Sequence, residues 1–385
     1  MRLILCACLI AALIGPATAG ERLLVGLDGK TFFRPNGPEN GPNGRDAVAV
    51  VEIADPARPR LAHVIEGLDN SAYGPPTNLA ITPDGRLGLV ASSVLMGQEA
   101  PNAPWYARGD ERLHVLDLTS EPPRLVETIR VGRQPSGLAI ARGGDLALVA
   151  NREGRSVTVL AIRDGRVRAV AEVGVGGEAA AVAIAPDGTR ALVAKNAAGT
   201  VGVLAIAGGT VTYDPALDMP VGPGTYGLGF TPDGAFALSG NTGASPSDGH
   251  ADTVALIGMA GPRPRVLDHV GVGDTIEALA IAPDGRHAAV SVVKGAAAPH
   301  ASPAYTPGGA AVLVRVADGR LRFVSEAPAG AVTQGIAFDH SGRYVYVGNY
   351  VDCSLGVYEV AGDAIRDTGT RLALPGQPAS LGGRP

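Results

Sequence analysis

LAITPDGRLGLVAS, residues 79–92, is two short apolar runs hinged on Pro-Asp-Gly. Asp-Gly supplies the positive φ angles that a tight hairpin needs, and proline before it pre-sets the turn. The phrase returns as LAIARGGDLALVAN (138–151), VAIAPDGTRALVAK (182–195), LGFTPDGAFALSGN (228–241), LAIAPDGRHAAVSV (279–292) and IAFDHSGRYVYVGN (336–349). The turn glycines, at 85, 144, 188, 234, 285 and 342, are spaced by 59, 44, 46, 51 and 57 residues. Several short strands in each unit of that length mark a β-propeller.

Each unit reads as four strands, A to D. In the third they fall at Leu138–Ile140, Leu146–Ala150, Ser156–Ile162 and Val167–Val173. Helical periodicity is absent after the N-terminal segment. A seventh unit at the N-terminus lacks strand A: Leu23–Gly26 reads as B, Ala47–Ile53 as C and Leu61–Glu66 as D. The missing strand is at the other chain end, where Leu374 to Ser380 echo Val131 to Ser136. The expected fold is therefore all-β: a seven-bladed propeller of four-stranded antiparallel blades, its first blade closed by the C-terminal strand.

Tyr346-Val347-Gly348-Asn349 and Leu148-Val149-Ala150-Asn151 resemble the YVTN repeat signature, and the surrounding Pro-Asp-Gly and Gly-x-x-Pro elements are similar too. The resemblance covers nearly the whole chain beyond residue 19. It implies membership of the seven-bladed propellers found in bacterial surface and periplasmic proteins and in the lactonase-like superfamily. Blade five departs from it with Leu238-Ser239-Gly240-Asn241, and blade six has Val292 where asparagine is usual.

Residues 1–19 read as a signal peptide. Arg2 is followed by an apolar run, Leu3 to Ile14, too short for a membrane span, and Ala17-Thr18-Ala19 is a small-x-small cleavage pattern. The propeller then occupies 20–385, with a periplasmic or secreted address and no membrane span. Cys6 and Cys8 leave with the leader, so Cys353 cannot form an internal disulfide and reads as a small buried or half-buried residue. A net charge of −5 and only three lysines, at 30, 195 and 294, argue against nucleic acid or a polybasic membrane patch. A monomer is expected.

Successive turns of a meander alternate between the two ends of a blade. The Pro-Asp-Gly turns thus share one face, and the B–C and D–A connections share the other. Insertions at 27–46, 93–111, 242–252 and 293–309 enlarge the second face. Long loops on a compact scaffold are usually functional or disordered. The 93–111 segment holds Trp105, the only tryptophan, with Tyr106 and Arg108 beside it. This cluster suits ligand or partner contact, or a small core of the loop itself. Asp248, His250 and Asp252 alternate in the blade-five loop and have the donor chemistry of a metal site. Asp-Gly there is also an ordinary turn.

The channel mouth on the same face is the other candidate. Strand A starts there at Thr77, Ser136, Ala180, Tyr226, Glu277 and Gln334, with Asn78 one place deeper. Strand B ends there at Ser92, Asn151, Lys195, Asn241, Val292 and Asn349. The asparagines have a plain alternative role, bonding turn backbone at the strand ends. Glu277 has less structural excuse, because a carboxylate near the axis must be paired or wet.

No cofactor is expected. Cys-x-x-Cys-His, a histidine cluster, a tryptophan motif in each blade, Gly-x-Ser-x-Gly and a phosphate loop are all missing. Two function classes remain. One is a periplasmic binding or scaffold protein that takes a small molecule or another protein on the loop face. The other is a lactonase- or cycloisomerase-like enzyme, as the superfamily resemblance implies. There Glu277 is the expected base, Lys195 an electrostatic group and Asn78 a donor. The ligand-binding candidates are Trp105, Tyr106, Arg108, Ser136, Asn151, Tyr226, Asn241, Gln334 and Asn349.

Overall fold

Seven antiparallel four-stranded sheets form the ring, and blade one joins the two chain ends in the order Gln377–Gly382, Arg22–Asp28, Ala47–Glu52, Arg60–Glu66. The computed structural model describes residues 21–70, 73–243 and 247–385. The expected leader lies outside them. Five residue pairs, Leu24↔Gly382 to Asp28↔Gln377, join the closing strand to its neighbour. Blade three has its strands at Pro135–Ile140, Leu146–Asn151, Ser156–Arg163 and Arg166–Gly174. In blade four the outer strand is split into Thr210–Tyr213 and Met219–Pro220 around a short 3-10 turn, Pro215–Leu217. No helix among the described residues is long and apolar enough to cross a membrane.

The Pro-Asp-Gly phrase has a mechanical explanation. Asp84 Oδ1 accepts from Thr82 Oγ1 (2.6 Å) and from the Arg86 N–H (3.0 Å), while Thr82 Oγ1 accepts from the Leu87 N–H (3.0 Å). Thr231, Asp233 and Phe236 repeat this wiring in blade five. The glycine takes positive φ, 74° at Gly85 and 70° at Gly285, where a side chain would be strained. The proline has a second task. Pro83 lies against Gly144 of the next blade, and Pro186, Pro232 and Pro283 lie likewise against Gly234, Gly285 and Gly342. Where blade one would supply this proline, the Arg384 guanidinium of the closing segment lies against Gly85.

The core is a series of apolar layers between blades. Valine, leucine and alanine of strands A to C are nearly all inaccessible, as in the cluster of Leu89, Leu113, Val115, Ala147, Val149 and Leu160 between blades two and three. Outer strands are wet: Arg124–Arg130 is exposed at all but one position.

Candidate active site at the loop-face mouth

Strand A is irregular in a regular way. Thr225 pairs with Asn241 and Gly227 with Gly240, which leaves Tyr226 as the extra residue of a bulge. The same shift isolates Glu277 between Ile276↔Val292 and Ala278↔Ser291, and Ala180 between Ala179↔Lys195 and Ala181↔Ala194. In blades three and seven it falls at Ser136-Gly137 and Gln334-Gly335. A bulge bends the strand and re-aims the side chain it frees. Here it recurs at one level of the ring, eight residues before the turn glycine.

Three freed side chains meet. Burial pushes the Glu277 carboxyl up to about 8, against the opposing effects of a hydrogen bond from Gln334 and the charge of Arg152. Burial raises the Tyr226 phenol well above its ordinary value, and the Glu277 charge adds to this. The Tyr226 oxygen accepts from the Gly74 N–H and from Arg152, so its own proton stays available to donate.

Arg152 is the central group, and it lies one residue beyond the strand end where the sequence places the mouth. Its Nη2 donates to Asn196 Oδ1 (2.7 Å), and its Nε lies 3.5 Å from Glu178 Oε2. Asn196 occupies the same position in blade four. Strand alternation explains the offset. The residue seven after the turn glycine faces the blade interior, and the next one faces the channel.

The other proposed mouth residues are placed differently. Asn151 Nδ2 donates to Ser156 Oγ (3.0 Å) and Thr158 Oγ1 (2.9 Å), Asn241 Nδ2 to Val221 O (3.0 Å), and Asn349 Nδ2 to Ser354 Oγ (3.2 Å). All three are buried; Asn151 and Asn349 brace their own blades, and Asn241 reaches the end of blade four. Asn78 is buried as well and donates to Ala91 O (2.9 Å). Lys195 turns outward, pairing with Asp218 and donating to Tyr213 Oη (2.9 Å) on the outer strand of blade four. Ser136 packs beneath Gly74, its Oγ 3.4 Å from Ser93 Oγ.

Asp248, His250 and Asp252 do not converge on one point. Asp248 Oδ1 accepts from the His250 N–H (2.9 Å) and lies 3.3 Å from Nδ1 of the exposed His250 ring, whereas Asp252 accepts from the Thr275 N–H (2.7 Å). His300 and Tyr305 stack on each other with ring centres 4.3 Å apart. Among the described residues no group of three His, Cys, Asp or Glu is placed to share a metal ion. Cys353 is half-buried at a φ of 46°, and burial raises its thiol.

The insertions form an arc. Most of 93–111 is not a loop: strands Leu87–Gly97 and Tyr106–Asp117 run on as a hairpin, with Gly97 opposite Tyr106. Half-buried Trp105 and exposed Tyr106 and Arg108 lie on this arm. The blade-one insertion holds a second hairpin, Thr31–Arg34 with Gly37–Asn40. Asn43 bonds Met96 N and O (2.6 and 2.8 Å), tying blades one and two. The His300 N–H donates to Pro35 O (2.8 Å), tying six to one across the short turn of blade seven. Ser247 Oγ donates to Lys294 O (2.8 Å), tying five to six. Blades three and four carry only short turns, those of Arg152 and Asn196.

Beneath the arc is a buried charge cluster that the sequence does not reveal. Lys30 is fully buried and pairs with Asp46, with Asp28 Oδ1 at 3.7 Å. Asp28 Oδ2 accepts from Tyr350 Oη at 2.5 Å. Burial raises the Asp28 carboxyl while Lys30 lowers it.

The opposite end of the axis holds a cavity of about 420 Å³ walled by Phe230, Ile281, Phe338 and Ile336. Two of its polar residues are engaged with neighbours. Asp339 caps the Tyr344 N–H (2.7 Å), and His340 sits 3.2 Å from Glu21.

No known family profile matches the chain, and no curated protein does. Solved structures do. The periplasmic gluconolactonase of Pseudomonas aeruginosa is 21% identical, with a TM-score of 0.64 over 94% of this chain and 98% of that one. A putative 6-phosphogluconolactonase from Bacteroides uniformis is 15% identical, with a TM-score of 0.69 over 94% and 98%. Another from Bacteroides fragilis is 18% identical, with a TM-score of 0.66 over 95% and 99%. The chain shares the fold of lactonase-like propellers. At this identity the likeness concerns the seven-bladed ring alone.

Proposed function

We propose that the chain is an exported lactone-opening hydrolase of the YVTN-type, lactonase-like propellers, with its site at the loop-face mouth. The observation that carries this reading is Glu277: a carboxyl pushed up to about 8, beside the Arg152 guanidinium and the Tyr226 hydroxyl. A base works best when its pKa lies near the working pH. The Glu277 carboxylate takes a proton from water as the water oxygen bonds to the lactone carbonyl carbon. The carbonyl oxygen becomes an oxyanion between Arg152 and the Tyr226 O–H, both donors fixed before the reaction begins. Collapse breaks the bond to the ring oxygen, which takes the proton back from Glu277. Lactone and water become a hydroxy acid. Lys195 and Asn78, engaged elsewhere, have no step in this scheme.

The test is a screen of neutral and phosphorylated sugar lactones across pH 5–9 on wild type and Glu277→Gln. Glu277 must be ionised, so kcat/KM should climb with pH and level off above about 8. Removing a general base costs about 100- to 10,000-fold. Turnover that survives in the variant, or absence of turnover on every lactone, overturns the reading.

A second reading, a binding or scaffold protein, is favoured by Tyr106. It is 47% exposed on the rigid blade-two hairpin, where a large aromatic suits capture of a partner. Comparing capture from periplasmic extract by wild type and Tyr106→Ala tests it: loss of a captured partner supports this reading, and unchanged capture removes it.

A further inference from the structure

Asn196 stands in the short turn after Arg190–Lys195, and every polar group it has is engaged. Its N–H donates to Glu178 O (3.0 Å) and its carbonyl accepts from the Gly199 N–H (3.1 Å). Its side-chain Oδ1 accepts from Arg152 Nη2 (2.7 Å), and its Nδ2 donates to Thr225 O (3.2 Å). A guanidinium only donates and a peptide carbonyl only accepts, so one orientation of the amide satisfies both. Thr225 immediately precedes Tyr226. One planar group thus ties the guanidinium of blade three to the backbone that carries the phenol of blade five.

Besides the amide and the Tyr226 oxygen, Arg152 has one further partner, the Glu178 carboxylate, which competes for it. Glu178 is solvent-accessible, and its carboxylate is at the long distance of 3.5 Å. An arginine has several soft torsions, and without the amide it would follow that charge toward solvent. We infer that Asn196 is a positioning residue, holding Arg152 toward Tyr226 and Glu277 and away from Glu178. The inference rests on the hydrolase reading for its consequence in turnover, and on geometry alone for its effect on Glu277.

The groups facing Glu277 are Arg152 from blade three, Tyr226 from blade five and Gln334 from blade seven. Of these only Arg152 is cationic, so its withdrawal must raise the Glu277 pKa. Two readouts follow for Asn196→Ala, with Asn196→Ser as a gentler replacement if the alanine variant does not fold. In turnover, kcat should fall about 10- to 100-fold, the scale of a misplaced catalytic group, with KM changed less than about three-fold. In both kcat/KM and ¹³C carboxyl NMR of Glu-labelled protein, the titration of Glu277 should move to higher pH. A fall in kcat with the Glu277 titration unmoved would mean a merely structural residue and overturns the inference, as does an unchanged kcat. If wild type opens no lactone, the hydrolase reading fails. The NMR titration then still decides for or against Asn196.

Discussion

Glu277→Gln should make the protein more stable at neutral pH, and the sign follows from proton counting. In the unfolded chain the carboxyl loses its proton near 4.5, whereas in the folded ring it keeps it until about 8. Between those values the folded state binds the extra proton, so the stability of wild type falls as pH rises through this window. Each unit of separation corresponds to about 1.36 kcal/mol, which sets a ceiling of about 3 kcal/mol at pH 7. Water in the channel mouth screens part of this, so roughly 1–3 kcal/mol is the expected gain, or about 2–5 °C in Tm. Glutamine keeps the length of the side chain and can still bond Gln334. The assay is thermal unfolding of both proteins from pH 4 to 9, at constant ionic strength. The difference in Tm should be near zero at pH 4.5, grow through pH 6 and 7, and flatten above 8. A difference independent of pH would mean that Glu277 titrates normally, and the base assignment would fall with it.

Two further outcomes concern the frame around the site. Removing 377–385 deletes the five-pair ladder to Arg22–Asp28 and the burial of Ala379 and Leu381. Backbone bonds of about 0.5–1.5 kcal/mol each and about 1.5–3 kcal/mol for the leucine bring the loss to about 5–10 kcal/mol, close to the whole margin of a folded protein. Circular dichroism should show no cooperative melt, and an unchanged Tm would contradict closure by this strand. Lys30→Met strands Asp28 and Asp46 without their cation and should cost about 3–5 kcal/mol in urea unfolding; adding Asp46→Asn should restore most of it, and no recovery would show that the pair is not coupled.

The ring itself was legible because its cause is local. Pro-Asp-Gly is both a turn and, at four junctions, an inter-blade contact, so it recurs along the chain, and the C-terminal echo of Val131 to Ser136 finds its place beside Arg22–Asp28. Glu277, Tyr226 and Gln334 were within reach for the same reason, each standing eight residues before a turn glycine. Arg152 and Asn196 were missed by one residue. The end of strand B marks the mouth in the sequence, but alternation turns its last residue into the blade, and the channel-facing residue is the first of the turn. Alternation carries the signal: Val149 and Asn151 are buried on one side of the strand, and Arg152 comes next on the other. Lys30 carried no signal at all. It sits among glycines and polar residues in a long insertion, and its two carboxylate partners come from Asp28 close by and from Asp46, sixteen residues on.

The placement of the insertions bears on how such a site is made. Blades five, six, one and two carry the added segments, yet Arg152 and Asn196 come from the short turns of blades three and four, and Glu277 and Tyr226 from bulged strands. On the proposed hydrolase reading, the groups that face the oxyanion need supports that do not move, and a turn closed by Gly199 on Asn196 is such a support. Long insertions serve a looser requirement, the shape of the approach. The arc, joined from Ser247 through Lys294, His300 and Pro35 to Asn43 and Met96, walls one side of the mouth and leaves the Arg152 side low. On this geometry, lengthening the turn at Asn196 should damage turnover more than trimming the far larger hairpin at 97–106.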